Sequence, residues 1–282
     1  MYNSRKDGKM YQQYPEALEN LRKTFETMES KHSKPLSPVT IKNYVGKINK
    51  DPKIIEKYQG AMSSFKDAEY TVRKQNKATP KQVENSMAYS DILEKINEYK
   101  PSNIIQLTYL LVCKLYFQGT IVFRNDLSSI KLVSGSKKAK DLKPQFNYIT
   151  LDKAGVPVAI IMKNYKSKET YGVQRFVISD EVKKCLMMYL KDTGKLAGEF
   201  LFTNSKGVEL SKDHMRALID KATEAVLGKS ININLIRRIQ ITDFLQRGAH
   251  SIADSEADAH RYLHSVATHN EYLSIGLKSD DE

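Results

Sequence analysis

Phe146-Asn147-Tyr148-Ile149-Thr150-Leu151 is where the chain changes period. Before it, apolar residues recur every three or four positions. Here β-branched and aromatic residues crowd into one short run, and helix gives way to strand. Residues 152–157, with Gly155, read as a turn. Residues 158–161 and 173–178 read as two further strands, so a three-stranded antiparallel sheet is expected. Between the last two strands runs a basic hairpin turn, Lys163-Asn164-Tyr165-Lys166-Ser167-Lys168-Glu169-Thr170-Tyr171-Gly172. A small antiparallel sheet in an otherwise helical chain defines a mainly α protein of α+β class.

Working upstream, Pro101-Ser102 opens a strongly apolar helix over 104–117 that stops before Gly119. An earlier helix carries Val83, Met87, Ile92, Leu93 and Ile96. The polar stretch Lys77-Ala78-Thr79-Pro80 marks a boundary, because Pro80 cannot continue a helix from the left. Helices are expected over 15–28, 37–48, 51–58 and 63–76; Ser37-Pro38 supplies a cap and a first-turn proline. The resulting division is an N-terminal arm with a helix (1–34), a helical module (35–79) and a larger domain (80–282). Downstream, helices are expected over 180–190 and 234–247, after a Ser211 cap, over 251–262, and after a Ser265 cap. The last of these carries Tyr272.

The 282 residues carry a net charge of +12, a surface that attracts polyanions. Residues 1–80 hold 16 Lys/Arg against 9 Asp/Glu, and residues 81–282 hold 29 against 24, so the charge is denser upstream. The longest apolar stretch, 107–117, includes Lys114 and is too short to span a bilayer. The polar, basic start lacks the apolar core of a secretory signal, which points to an intracellular protein of cytoplasm or nucleus. Cys113 and Cys185 sit in apolar surroundings and read as core residues. The six histidines show no His-Glu-x-x-His spacing, so neither a metal nor another cofactor is expected.

Candidate chemistry gathers toward the C-terminus. In Leu263-His264-Ser265-Val266-Ala267-Thr268-His269-Asn270-Glu271-Tyr272, a phenol follows a histidine by eight positions. Upstream stands Asn234-Leu235-Ile236-Arg237, with Arg237 near a helix start, where backbone N–H groups favour phosphate. Earlier still comes Phe123-Arg124-Asn125-Asp126-Leu127. Cleaving a phosphodiester with a phenol needs cations on the non-bridging oxygens and an acid for the departing oxygen. Arginine suits the first task and lysine the second. Arg124 and Arg237 fit the cations, Lys166 or Lys168 the acid, His264 an assisting group and Tyr272 the nucleophile. Blander readings stand beside these. Asn234 caps its helix, Arg124 pairs with Asp126, and the hairpin lysines form a solvated turn. Tyr262 is a rival nucleophile, but it precedes His264.

The order of Arg124, hairpin Lys, Arg237, His264 and Tyr272 resembles the tyrosine recombinase family of phage-type integrases. The wording Phe-Arg-Asn-Asp-Leu and Asn-Tyr-Lys-Ser-Lys-Glu-Thr-Tyr-Gly is most similar to divergent members from eukaryotic DNA viruses and mobile elements. The resemblance runs from about residue 80 to 275 and more loosely over the module before it. It implies a helical core-binding domain and a mixed catalytic domain clamped on double-stranded DNA. It also implies a 3′-phosphotyrosyl intermediate, with Lys166 favoured over Lys168, and a homotetramer on synapsed DNA, aided by accessory DNA-bending proteins. Asn234 stands where the family has the His of His-x-x-Arg; it can hydrogen-bond a phosphate but not exchange a proton. The His264–Tyr272 interval is shorter than the commonest one. Two other readings share these residues: a type IB topoisomerase-like relaxing enzyme, and a non-catalytic DNA-binding protein of the same fold.

Overall fold

The computed structural model describes residues 77–248, 250–273 and 277. The chain divides between Gln75 and Asn76, and the described residues belong to the second unit. The expected arm, and all but residues 77–79 of the expected helical module, lie outside the described residues.

The architecture is α+β, with helices around one small mixed sheet. Helix α1 (Pro80–Asn85) starts in a capping box, in which Thr79 and Gln82 exchange side-chain and backbone hydrogen bonds. The single helix expected from Val83 to Ile96 is two. Ser86 turns extended and its hydroxyl donates to the Val83 carbonyl, which ends α1; α2 (Tyr89–Glu98) then starts afresh. Helix α3 (Ile104–Phe117), capped by Asn103, buries eight of its residues, from Leu107 to Phe117. Such a helix belongs at the centre of a core, and α3 packs against α5 (Asp180–Thr193) and α6 (Lys212–Leu227).

After α3, Asn125–Ser129 makes a short 3₁₀ turn. The sheet follows: β1 (Ile130–Ser134), β2 (Asn147–Leu151), β3 (Pro157–Met162) and β4 (Gln174–Val177), in that order across the sheet. The three expected strands are β2 to β4, antiparallel, with Ile160 opposite both Ile149 and Phe176. The fourth strand corrects the expectation of a wholly antiparallel sheet. β1 lies parallel to β2, with Ile130 beside Asn147. Its other edge is covered by the extended piece around Phe200, through Leu132 N–H to the Glu199 carbonyl and Leu201 N–H to the Ile130 carbonyl.

β2 is buried along its whole length, so its polar residues need internal partners. The Asn147 amide provides them: it donates to the Asp126 and Asn164 carbonyls and accepts the N–H groups of Lys163 and Asn164. The end of β3 and the 3₁₀ turn are thereby tied to one side chain. The hairpin connection contains a one-turn helix, α4 (Lys168–Tyr171), closed by Gly172 at φ 64°.

Three helices complete the unit: α7 (Ile233–Gln246), α8 (Ile252–Arg261) and α9 (Val266–Asn270). The cap of α7 is Asn232, whose side chain accepts the Leu235 N–H, and not Asn234, which lies exposed in the first turn. Cys113 and Cys185 are buried free thiols, both pushed up by desolvation, Cys185 to about 11. Among the described residues, no helix is long and apolar enough to cross a membrane, and no three His, Cys, Asp or Glu converge as metal ligands do.

Candidate active site

Arg237 is the centre of the site. It lies on the fifth residue of α7, past the free N–H groups of the first turn, so only its side chain is available to a ligand. It is 1% exposed, one of the largest fully buried side chains among those described. A buried guanidinium needs acceptors, and the chain supplies two carbonyls and an imidazole nitrogen besides the Tyr272 phenol. Nη1 donates to the Val122 carbonyl at 3.0 Å, and Nη2 to the Tyr262 carbonyl and to His264 Nδ1, both at 3.3 Å. Nε, also buried, has no hydrogen-bond partner. Desolvation, above all, lowers the Arg237 pKa; Tyr272 opposes that shift and the charge of Arg124 adds to it.

The Val122 carbonyl is in place because the chain turns sharply after α3. A Cβ on Gly119 would lie 2.4 Å from the Leu115 carbonyl oxygen, so only glycine fits there. Val122 N–H then donates to the Arg261 carbonyl, and the next residues reach Arg124. Arg124 is half-buried. Its carbonyl accepts the Tyr116 hydroxyl, and its N–H donates to Asp126. The Asp126 pairing therefore runs through the Arg124 backbone. Burial raises the Asp126 pKa. Gln240 on α7 donates to the Tyr116 carbonyl, which ties this segment to the helix of Arg237.

His264 and Tyr272 flank Arg237. Leu263 takes the left-handed conformation, φ 53°, and this turn directs His264 inward after α8. The His264 pKa falls to about 3, first because of burial and then because of the Arg237 charge, so the ring is neutral at pH 7. Tyr272 does not lie on the last helix, as the sequence suggests. α9 ends at Asn270 and Tyr272 sits in the following turn, half-buried. Its ring centroid is 5.2 Å from Arg237 Cζ and 5.5 Å from the His264 ring. The phenol hydrogen-bonds the guanidinium. Arg238 also approaches the Tyr272 ring, with Cζ 5.8 Å from its centroid.

Tyr262, the rival nucleophile, stacks on His264 and lies under Arg237 with Cζ 4.9 Å from its ring. It is 2% exposed, its hydroxyl has no hydrogen-bond partner, and burial drives its pKa upward. A phenol so enclosed cannot reach a phosphate.

Arg124, Arg237, His264 and Tyr272 therefore form one neighbourhood, and Lys166 and Lys168 do not join it by contact. Both are exposed on the hairpin connection, where Lys168 makes a loose ion pair with Glu169 at 3.8 Å. Their link to the site is Ser167 between them, whose hydroxyl donates to the Leu263 carbonyl at 2.5 Å. Asn234 is exposed.

Three residues that sequence reasoning left without a role stand behind this group. His264 Nε2 meets His269 Nδ1 at 3.0 Å, and His269 Nε2 lies 3.1 Å from Asp258 Oδ2. That second contact is bent too far for a good hydrogen bond, and neither atom has another such partner. Asp258 Oδ1 accepts Arg261 Nη1 at 3.0 Å. The only hint in the sequence is a second histidine five positions after the first.

No protein-family model matches the chain, and no curated protein matches it. Among solved structures it is similar to a crystal structure of XerA recombinase, at 14% identity over 73% of this chain, with a TM-score of 0.42. The chain spans 59% of that structure's length.

Proposed function

We propose that the protein cuts and rejoins double-stranded DNA through a covalent bond between Tyr272 and a 3′ phosphate. The observation that supports this best is a buried guanidinium with an unpaired Nε, flanked by a histidine and covered by a half-buried phenol. A buried cation without a carboxylate on it is costly, and an anion offsets that cost. A phosphate oxygen is the natural ligand of a guanidinium fork.

In this reading DNA lifts the Tyr272 ring from Arg237 and puts the scissile phosphate in its place. Arg237 and Arg124 hold the non-bridging oxygens as charge builds on them. The phenol, with an unperturbed pKa of about 10, gives up its proton to solvent water as it attacks phosphorus. The P–O5′ bond breaks, and the departing oxygen takes a proton from Lys166, reaching in from the exposed hairpin, with Lys168 as its substitute. The 3′-phosphotyrosyl bond conserves the phosphodiester energy, so the rejoining step needs no ATP. The expected setting is integration or excision of a viral or mobile genome by a tetramer on two duplexes, inside the cell. In this reading residues 35–79 also bind the duplex.

The test is a nicked suicide DNA that loses its 5′ hydroxyl after cleavage. Wild type is expected to form a covalent adduct and Tyr272→Phe none. Salt-dependent binding without an adduct on any substrate would instead identify a non-catalytic DNA-binding protein. An adduct that survives in Tyr272→Phe would remove Tyr272 from its role.

A further inference from the structure

We infer that Asp258 and His269 are positioning residues, which fix the tautomer of His264 and through it hold the Arg237 guanidinium in place. The inference deepens the cleavage reading above and rests on it for its catalytic meaning. The tautomer argument itself follows from donor and acceptor chemistry alone.

Arginine has five N–H donors and no acceptor. Arg237 Nη2 faces His264 Nδ1 at 3.3 Å, so that nitrogen must present its lone pair. A neutral imidazole then carries its proton on Nε2. Nε2 faces His269 Nδ1 at 3.0 Å, which must therefore be the acceptor. The His269 proton falls on Nε2, the atom 3.1 Å from the Asp258 carboxylate. Every proton in the series is assigned, starting from a group that cannot change its protonation. The Asp258 carboxylate at the far end is poorly aligned for a hydrogen bond, but at 3.1 Å its charge favours a proton on that nitrogen and so supports the same assignment from the other side. The opposite tautomer of His264 would aim an N–H at the Arg237 N–H and leave the guanidinium with the Val122 and Tyr262 carbonyls and the Tyr272 phenol.

The surroundings suit a fixed, water-poor series. His269 is fully buried and Asp258 is 5% exposed. Tyr262 packs against both imidazoles, and Phe244 stands edge-on to His269. Arg261 balances the Asp258 charge and also donates to the Gly119 carbonyl, at the turn that delivers Val122. The groups that act on His264 electrostatically are Arg237, His269, Arg124 and Asp258.

The direct test uses the full chain with ¹⁵N-labelled histidine and no DNA. Long-range proton–nitrogen spectra at pH 7 are expected to show His264 and His269 both protonated at Nε2 alone. A proton on His264 Nδ1 would overturn the inference. The kinetic test compares two substitutions by adduct formation on the suicide substrate. In His269→Gln the amide oxygen can accept from His264 and the amide N–H can donate toward Asp258; this variant should stay within about threefold of wild type. His269→Phe keeps a ring but loses both groups, and should slow cleavage about 10- to 100-fold, the usual cost of losing an orienting partner. Equal rates in the two variants would reduce His269 to packing. Should His269→Phe fail to fold, Asp258→Asn is expected to mix the His269 tautomers in the same spectra, and an unchanged spectrum would refute the role of Asp258. A wild type that makes no adduct on any substrate would end the cleavage reading, while the spectra alone would still decide the tautomer series.

Discussion

At the scale of single residues, Arg237 and His264 explain each other. Burial and then the guanidinium charge keep the imidazole neutral, and the imidazole gives the guanidinium a side-chain acceptor beside Tyr272. This has a measurable pH signature. The His264 pKa is about 3 in the fold against a reference of 6.5, so between those values the unfolded chain binds the extra proton. Stability should therefore fall as the pH drops from about 6.5 toward 3, and His264→Gln should flatten that slope in thermal melts across the range. Arg237→Lys keeps the charge but removes the fork. With it, adduct formation should fall by at least about 100-fold, the order of a lost charge-stabilising donor, while binding at low salt changes little. Equal loss of binding would make Arg237 a structural residue alone.

Among the elements, the site depends on two connections that bring distant chain segments together. One is the turn after α3. Gly119→Ala must displace the Leu115 carbonyl and with it the path to Val122 and Arg124, at a cost of about 1–3 kcal/mol. Denaturant unfolding measures that loss, and reduced cleavage should accompany it. The other is the hairpin loop, docked by Ser167 on Leu263. Ser167→Ala should cost about 1 kcal/mol and reduce cleavage more than binding, because it frees the loop of Lys166 without removing a charge. These connections also show where the sequence was readable. β2, β3 and β4 announce themselves by local composition and their turns, and they fall within about a residue of expectation. β1 does not, because its partner is parallel and its outer edge is covered by a segment some 70 residues away. The order of Arg124, Arg237, His264 and Tyr272 is written in the chain, and the structure places the four together. Asp258 and His269 gain a role only once α8 and α9 fold back on one another, and no local pattern encodes that. The Asn234 cap and the helical Tyr272 were errors of two positions at helix ends, where patterns are weakest.

For the whole molecule, the proposed function and a net charge of +12 together predict that attraction to DNA phosphates dominates binding. The logarithm of the affinity should fall linearly with the logarithm of salt concentration, by about 0.9 per phosphate neutralised. A binding constant insensitive to salt would remove nucleic acid as the partner. A last consequence concerns how copies of the chain would share the work. Tyr272 rests on the Arg237 of its own chain, so in the proposed reaction one copy would hold both the nucleophile and the cation it serves. The proposed reaction is then expected to run in cis, with no rescue of one copy by another. Equal mixtures of Tyr272→Phe and Arg237→Gln proteins should stay inactive on the suicide substrate. Restored cleavage would mean that a neighbouring copy lends its tyrosine.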